Sequence, residues 1–111
     1  LGTDWVMREP FYAERLARHG IDAVIPEPAD RAVVDRIIWD ELTRGIVTEA
    51  SRAAYLDVAG RLVAAGAQGV VLACTEIQLL LDADDLTVPV IDSMAAHAAA
   101  IAGRSLAPIA A

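Results

Sequence analysis

The feature that most limits this chain is Gly69-Val70-Val71-Leu72-Ala73, an unbroken apolar run opened by glycine and followed at once by Cys74-Thr75-Glu76. Five residues are too few for a helix standing alone, and a run of this kind suits a strand buried on both faces of a parallel sheet. A second such strand is expected at Val88–Ile91, entered through Pro89. A third, Ile21–Ile25, is stopped by Pro26 and Pro28.

Between these runs the apolar spacing turns helical. Phe11 and Leu16 suit a helix from about Glu9 to Arg18, ended by Gly20. Asp30 is expected to cap a helix carrying Val33, Val34, Ile37, Ile38 and Leu42 on one face, closed by Gly45. Thr48 caps a third helix, with Tyr55, Val58 and Leu62 at helical spacing up to Gly66. A short helix is expected from Thr75 through Leu81, and Ser93 is expected to cap an Ala-rich helix running to about Ala102. Leu106–Ala111 carry no pattern. Helices alternating with strands mean an α/β fold, a parallel sheet of about three to four strands flanked by helices. Leu1-Gly2-Thr3 reads as the turn that usually follows a strand, so a first strand is expected upstream of it.

Composition bounds what such a domain does. At 111 residues the chain (1–111) is the size of a single domain. Its nine basic residues are all arginine against 16 acids, a net charge of −7, which argues against sequence-independent binding to nucleic acid or to an anionic membrane. The longest apolar stretch, Gly69–Leu81, contains Cys74, Thr75, Glu76 and Gln78 and is too short to span a bilayer. One cysteine forms no internal bridge, and a reducing, cytoplasmic setting is expected.

Ligands of open parallel sheets bind beyond the carboxyl ends of the strands. Gly2-Thr3-Asp4, Ala73-Cys74-Thr75-Glu76 and Asp92-Ser93 should converge there. A thiol at a helix N-terminus is favoured as thiolate by the dipole and free N–H groups, and those groups with the Thr75 hydroxyl suit a substrate carboxylate. A lone cysteine is more often a small buried hydrophobe. Glu76 reads equally as a helix-N-terminal acid. His19 and His97 lack metal-ligand spacing, and Asp82, Asp84 and Asp85 read as a solvated loop. Trp5 and Trp39 are expected in the core or an interface.

Four segments carry a family resemblance: Gly69-Val-Val-Leu-Ala-Cys-Thr-Glu, Val88-Pro-Val-Ile-Asp-Ser, Leu1-Gly2-Thr3, and Arg36-Ile-Ile-Trp-Asp-Glu-Leu42. Taken in chain order, from residue 1 to about 102, they resemble the aspartate/glutamate racemases, cofactor-independent enzymes built from two similar α/β halves that each supply one cysteine to the cleft between them. The resemblance implies that this chain is the C-terminal half of that two-domain, pseudo-symmetric fold. It makes Cys74 the catalytic residue and Thr75 and Thr3 substrate binders, with Glu76 and Asp92 as lesser candidates. No cofactor and no metal are implied. The implied ligand is a small amino acid, and the second base has to come from an N-terminal half-domain or from a homodimer. Val6 stands where many members carry a second threonine, and Ala73 replaces the usual glycine. Two other readings stay open: an inactive remnant or binding domain of the same fold, and a related hydantoin racemase, decarboxylase or maleate isomerase.

Overall fold

Two short strands and one chain end build the sheet. In the computed structural model, which describes residues 1–107, β1 (Val70–Leu72) pairs in parallel with β2 (Val90–Asp92), with Val70 opposite Val90 and Leu72 opposite Asp92. On the other edge of β1, the Leu1 amine donates to the Val71 carbonyl and the Leu1 carbonyl accepts from the Ala73 N–H, both at 2.7 Å. That alternation of bonds is a parallel ladder, so Leu1 extends the sheet as a third, single-residue rung. The α/β class and the parallel sense are as expected. The strand count is lower, at two among the described residues. Ile21–Ile25 joins no ladder among the described residues, because no strand lies beside it to supply the hydrogen bonds that define one. The pattern-free end expected at Leu106–Ala111 lies partly outside the described residues, at 108–111.

Helices α3 (Pro28–Asp40) and α4 (Glu49–Ala64) cover one face of the sheet. The apolar stripe of α3 buries Val34, Ile37 and Ile38, and α4 answers with Tyr55, Val58, Ala59 and Leu62. Val70 and Leu72 close the core from the sheet, joined by Leu42, Ile77, Leu80 and Leu81. Tyr55 is fully buried, and its hydroxyl donates to the Val34 carbonyl at 2.9 Å. Burial, helped by the negative charges of Asp35 and Glu41, raises its phenol and keeps it a neutral donor. At the surface, Arg61 holds Asp30 through two bonds of 2.8 Å, and Arg52 holds Asp85.

The caps differ from expectation in two places. Glu27 is the N-cap of α3, because Pro28 takes the first helical position and places Asp30 inside the first turn. Asp92 caps α5 (Ser93–Ser105) by accepting from the Met94 and Ala95 N–H groups, and the Ser93 hydroxyl bonds elsewhere. Thr48 caps α4 as expected, accepting from Ser51. Gly45 ends the 3₁₀ turn after α3 at φ 72°, a left-handed conformation glycine adopts without strain.

The second face of the sheet is open. Val71 is only half-buried, so β1 is not enclosed on both faces. The first expected helix forms as α2 (Pro10–Ala17), and an unexpected short helix, α1 (Asp4–Arg8), precedes it, separated by Glu9 ahead of Pro10. Neither α2 nor α5 buries a residue. Trp5 and Trp39, expected in a core or interface, are 60% and 59% exposed in this chain. A radius of gyration of 15.2 Å exceeds the ~13 Å of a tightly packed domain of about 100 residues.

The packing of α4 on α3 gives the first prediction. Tyr55→Phe should cost about 0.5–1.5 kcal/mol through the lost bond to Val34, and Ile37→Ala about 2–5 kcal/mol through the cavity it leaves. Urea unfolding measures both, and equal losses would mean that α4 is not seated on the Val34 carbonyl.

Candidate active site

Three chain segments meet at the carboxyl edge of the sheet, each held there by backbone bonding. The Leu1–Ala73 bond sets Gly2-Thr3 beside Ala73-Cys74. Gly2 packs so closely that an added Cβ would lie 3.0 Å from the Ala73 carbonyl oxygen and 3.2 Å from the Val6 side chain. A side chain there would force these neighbours to give by a few tenths of an ångström. From the other side, the Ser93 hydroxyl donates to the Leu72 carbonyl at 2.6 Å and pins the end of β2 to the end of β1. The convergence expected from sequence is therefore present.

Thr3 is the N-cap of α1, its hydroxyl oxygen accepting from the Val6 N–H at 3.4 Å. Its own proton stays available for a ligand. The start of α1 is fastened to α3: the Asp4 N–H donates to Asp35 at 2.7 Å, and Arg31 pairs with the Asp4 carboxylate at 3.2 Å. Neither tie was anticipated, because Asp35 lies 31 residues from Asp4 and no local pattern joins them.

Cys74 follows β1 and is half-buried. Its thiol donates to Oε2 of Glu76 at 3.1 Å. The expected helix from Thr75 is a 3₁₀ turn at Ile77–Leu79, too short to supply a macrodipole. The thiol is in fact pushed up from its ordinary value. Burial is the main cause; the Glu76 carboxylate adds to it, against the backbone N–H groups of Glu76 and Thr75. The resting group is thus a protonated thiol, not the dipole-stabilised thiolate expected from sequence. Glu76 is held below the usual carboxylate range by the Thr75 hydroxyl and then by the Cys74 thiol.

The remaining candidates separate clearly. Thr75 is exposed at the edge beside the thiol. Asp92 reaches the same edge, but its carboxylate is engaged in capping α5. Arg36 pairs with Glu41 at 3.6 Å and Arg44 bonds the Asp40 carbonyl at 3.4 Å, so both serve the end of α3. His97 is exposed on α5. Gln78 was not anticipated: its amide nitrogen bonds the Thr75 carbonyl, and its Oε1 is buried among the described residues without a partner.

A half-buried thiol beside a carboxylate, with two threonine hydroxyls on the same edge, can move a proton at carbon next to a bound carboxylate. Comparison with known proteins points to one family. The family model for Asp/Glu/hydantoin racemases matches residues 1–101. A crystal structure of a candidate Asp/Glu racemase from Yersinia pestis is similar at 47% identity and TM-score 0.90, over 96% of this chain and 47% of that one. An aspartate racemase homologue from Pyrococcus horikoshii is similar at 28% identity and TM-score 0.85, over 95% of this chain and 46% of that one. The chain spans about half the length of these proteins. Among its described residues no helix is long and apolar enough to cross a membrane. A match from the first turn through most of α5, together with an α/β fold on a parallel sheet, places this chain in the Asp/Glu/hydantoin racemase family.

Proposed function

We propose that this chain supplies one of the two proton-transfer groups of a cofactor-independent amino-acid racemase acting on aspartate, glutamate or a close relative. The reading rests above all on one contact, the Cys74 thiol on the Glu76 carboxylate at the carboxyl edge of the sheet. Family membership supports the racemase reaction.

In this reading the α-carboxylate of the substrate sits against the Thr75 and Thr3 hydroxyls. Cys74, once ionised, takes the α-proton from one face of the carbon, and the resulting carbanion is reprotonated from the opposite face by a second acid. A thiol whose proton is held tightly is the stronger base when it does ionise. The environment that raises Cys74 therefore suits a carbon acid better than an activated thiolate would. Glu76 acts as the positioning residue: it fixes the thiol rotamer and sets how readily the proton leaves. Asp92 serves by holding α5 and the end of β2 in place.

One thiol reaches one face. The second acid belongs to a facing half, either an N-terminal half-domain or a second copy of this chain. The half-buried Cys74 and exposed Thr75 sit on an open edge, as a surface that becomes one wall of a cleft would. A reducing cytoplasm, where the single thiol stays free, is the setting this chemistry requires.

The test is to assay racemisation of aspartate and glutamate by chiral chromatography. It is run with the chain alone and after mixing with the part of the Yersinia pestis protein that this chain does not match. Activity only in the mixture is expected, and Cys74→Ala should lower it by about 10²–10⁴. Activity of the chain alone that rises with the square of its concentration would assign the second base to a homodimer. Full activity of Cys74→Ala would overturn the reading.

The electrostatics give a further expectation. Glu76→Gln removes the charge that helps hold the proton on Cys74, so the thiol should ionise at lower pH than in the parent chain. The pH dependence of alkylation by iodoacetamide reads this directly. An unchanged or upward-shifted profile would mean that Glu76 does not control the thiol.

A further inference from the structure

Of the two hydroxyls proposed to hold the substrate, Thr75 stands on the turn that leaves β1, whereas Thr3 stands on a separate segment whose place is set from both sides. On its sheet side, Gly2 is buried against the Ala73 carbonyl. On its helix side, the next peptide is held by α3, because the Asp4 N–H donates to Oδ1 of Asp35 at 2.7 Å. That N–H belongs to the first turn of α1, where a helix leaves its donors without an internal partner. Asp35 supplies the missing acceptor from another helix.

A second contact comes from the same face of α3. Arg31 precedes Asp35 by four residues, one helical turn. Its Nε reaches the Asp4 carboxylate at 3.2 Å, and its Nη1 donates to the Pro26 carbonyl at 3.4 Å. One half-buried face of α3 thus grips both the backbone and the side chain of Asp4, while Val34, Ile37 and Ile38 face the core. Thr3 does less for itself: its hydroxyl takes the Val6 N–H at a long 3.4 Å. A carboxylate accepting at 2.7 Å is the stronger tie, since charge-assisted bonds are about twice as strong as neutral ones. The Asp35 carboxylate makes no other hydrogen bond or ion pair among the described residues.

We propose that Asp35 is a positioning residue for substrate binding. Through the Thr3–Asp4 peptide it holds the Thr3 hydroxyl at the edge that carries Cys74, and Arg31 assists through the Asp4 side chain. The inference rests on the reading of Thr3 as a binder of the substrate carboxylate. Without the Asp35 acceptor the Asp4 N–H turns to water, the first turn of α1 loosens, and Thr3 is held from the Gly2 side alone. Proton transfer at Cys74 involves neither group, so the loss falls on binding and not on turnover. A carboxylate that acted by charge alone would repel the substrate carboxylate, and removing it would tighten binding instead.

The test compares Asp35→Ala, Asp35→Asn, Thr3→Val and the double variant Asp35→Ala with Thr3→Val, assayed in the two-half mixture. Alanine favours the helix, so α3 is kept. Asp35→Ala should raise KM for aspartate and glutamate by about three- to tenfold and leave kcat within about twofold. Asp35→Asn keeps an acceptor oxygen at the same place and should recover most of the loss. Once Thr3→Val has removed the hydroxyl and raised KM, adding Asp35→Ala should raise it no further. Amide hydrogen exchange on the chain alone reads the same link without activity: Asp35→Ala should speed exchange at both Asp4 and Val6 by about tenfold. Additive effects on KM, a KM that falls or stays in Asp35→Ala, or a KM unmoved by Thr3→Val would overturn the proposal. So would exchange that quickens at Asp4 and not at Val6. A parent mixture that racemises neither amino acid counts against the racemase reading itself, and exchange at Val6 then decides whether Asp35 positions Thr3.

Discussion

The central constraint is the parallel register of β1, which is bonded on both edges. On one edge it holds β2 and on the other Leu1. Because strands in this sense all point their carboxyl ends one way, the turns that leave them gather at a single edge. Ser93 tightens that gathering by bonding the last carbonyl of β1, and Gly2 tightens it by giving up a side chain. Thr3, Cys74 and Thr75 owe their nearness to this ladder, not to any local segment. The α3–α4 pair supports it from one face only. That accounts for a core of ordinary quality beside helices α2 and α5 that bury nothing.

The chemistry of the edge follows from its solvation. A cysteine at the end of a buried strand is partly removed from water, and a neighbouring carboxylate makes losing its proton harder still. In an enzyme whose cysteine attacks as a nucleophile this would be a handicap. For a group that must remove a proton from carbon, a firmly held proton means a stronger base once it has ionised, against a smaller ionised fraction. In the reaction proposed, Glu76 is the residue that sets how readily the Cys74 proton leaves.

Much of this was legible in the sequence, for identifiable reasons. The apolar stripe from Val33 to Leu42 and the Tyr55, Val58, Leu62 spacing are strong periodic signals, and both helices formed with those residues inward. The buried run at Gly69–Ala73 gave β1 and the position of Cys74. What failed depended on distant partners. Ile21–Ile25 has strand composition but no ladder, because a strand is defined by its neighbour. The helix dipole expected at Thr75 was lost to a 3₁₀ turn, since Cys74, Thr75 and Glu76 bond among themselves. Proline at position 28 moved a cap by three residues, a shift that composition does not forecast. The ties of Asp4 to Arg31 and Asp35 span the chain and leave no local trace.

The central claim is that Cys74 serves one face of the α-carbon and that a facing group serves the other. The most direct measurement follows α-deuterium uptake in D₂O from each enantiomer separately, on the assembled two-half protein and on the same assembly with Cys74→Ser. The account predicts that the parent takes up deuterium from both enantiomers, whereas Cys74→Ser loses uptake from one and keeps it from the other. Equal uptake from both enantiomers in Cys74→Ser would contradict it, because the proton would then be moving without this thiol.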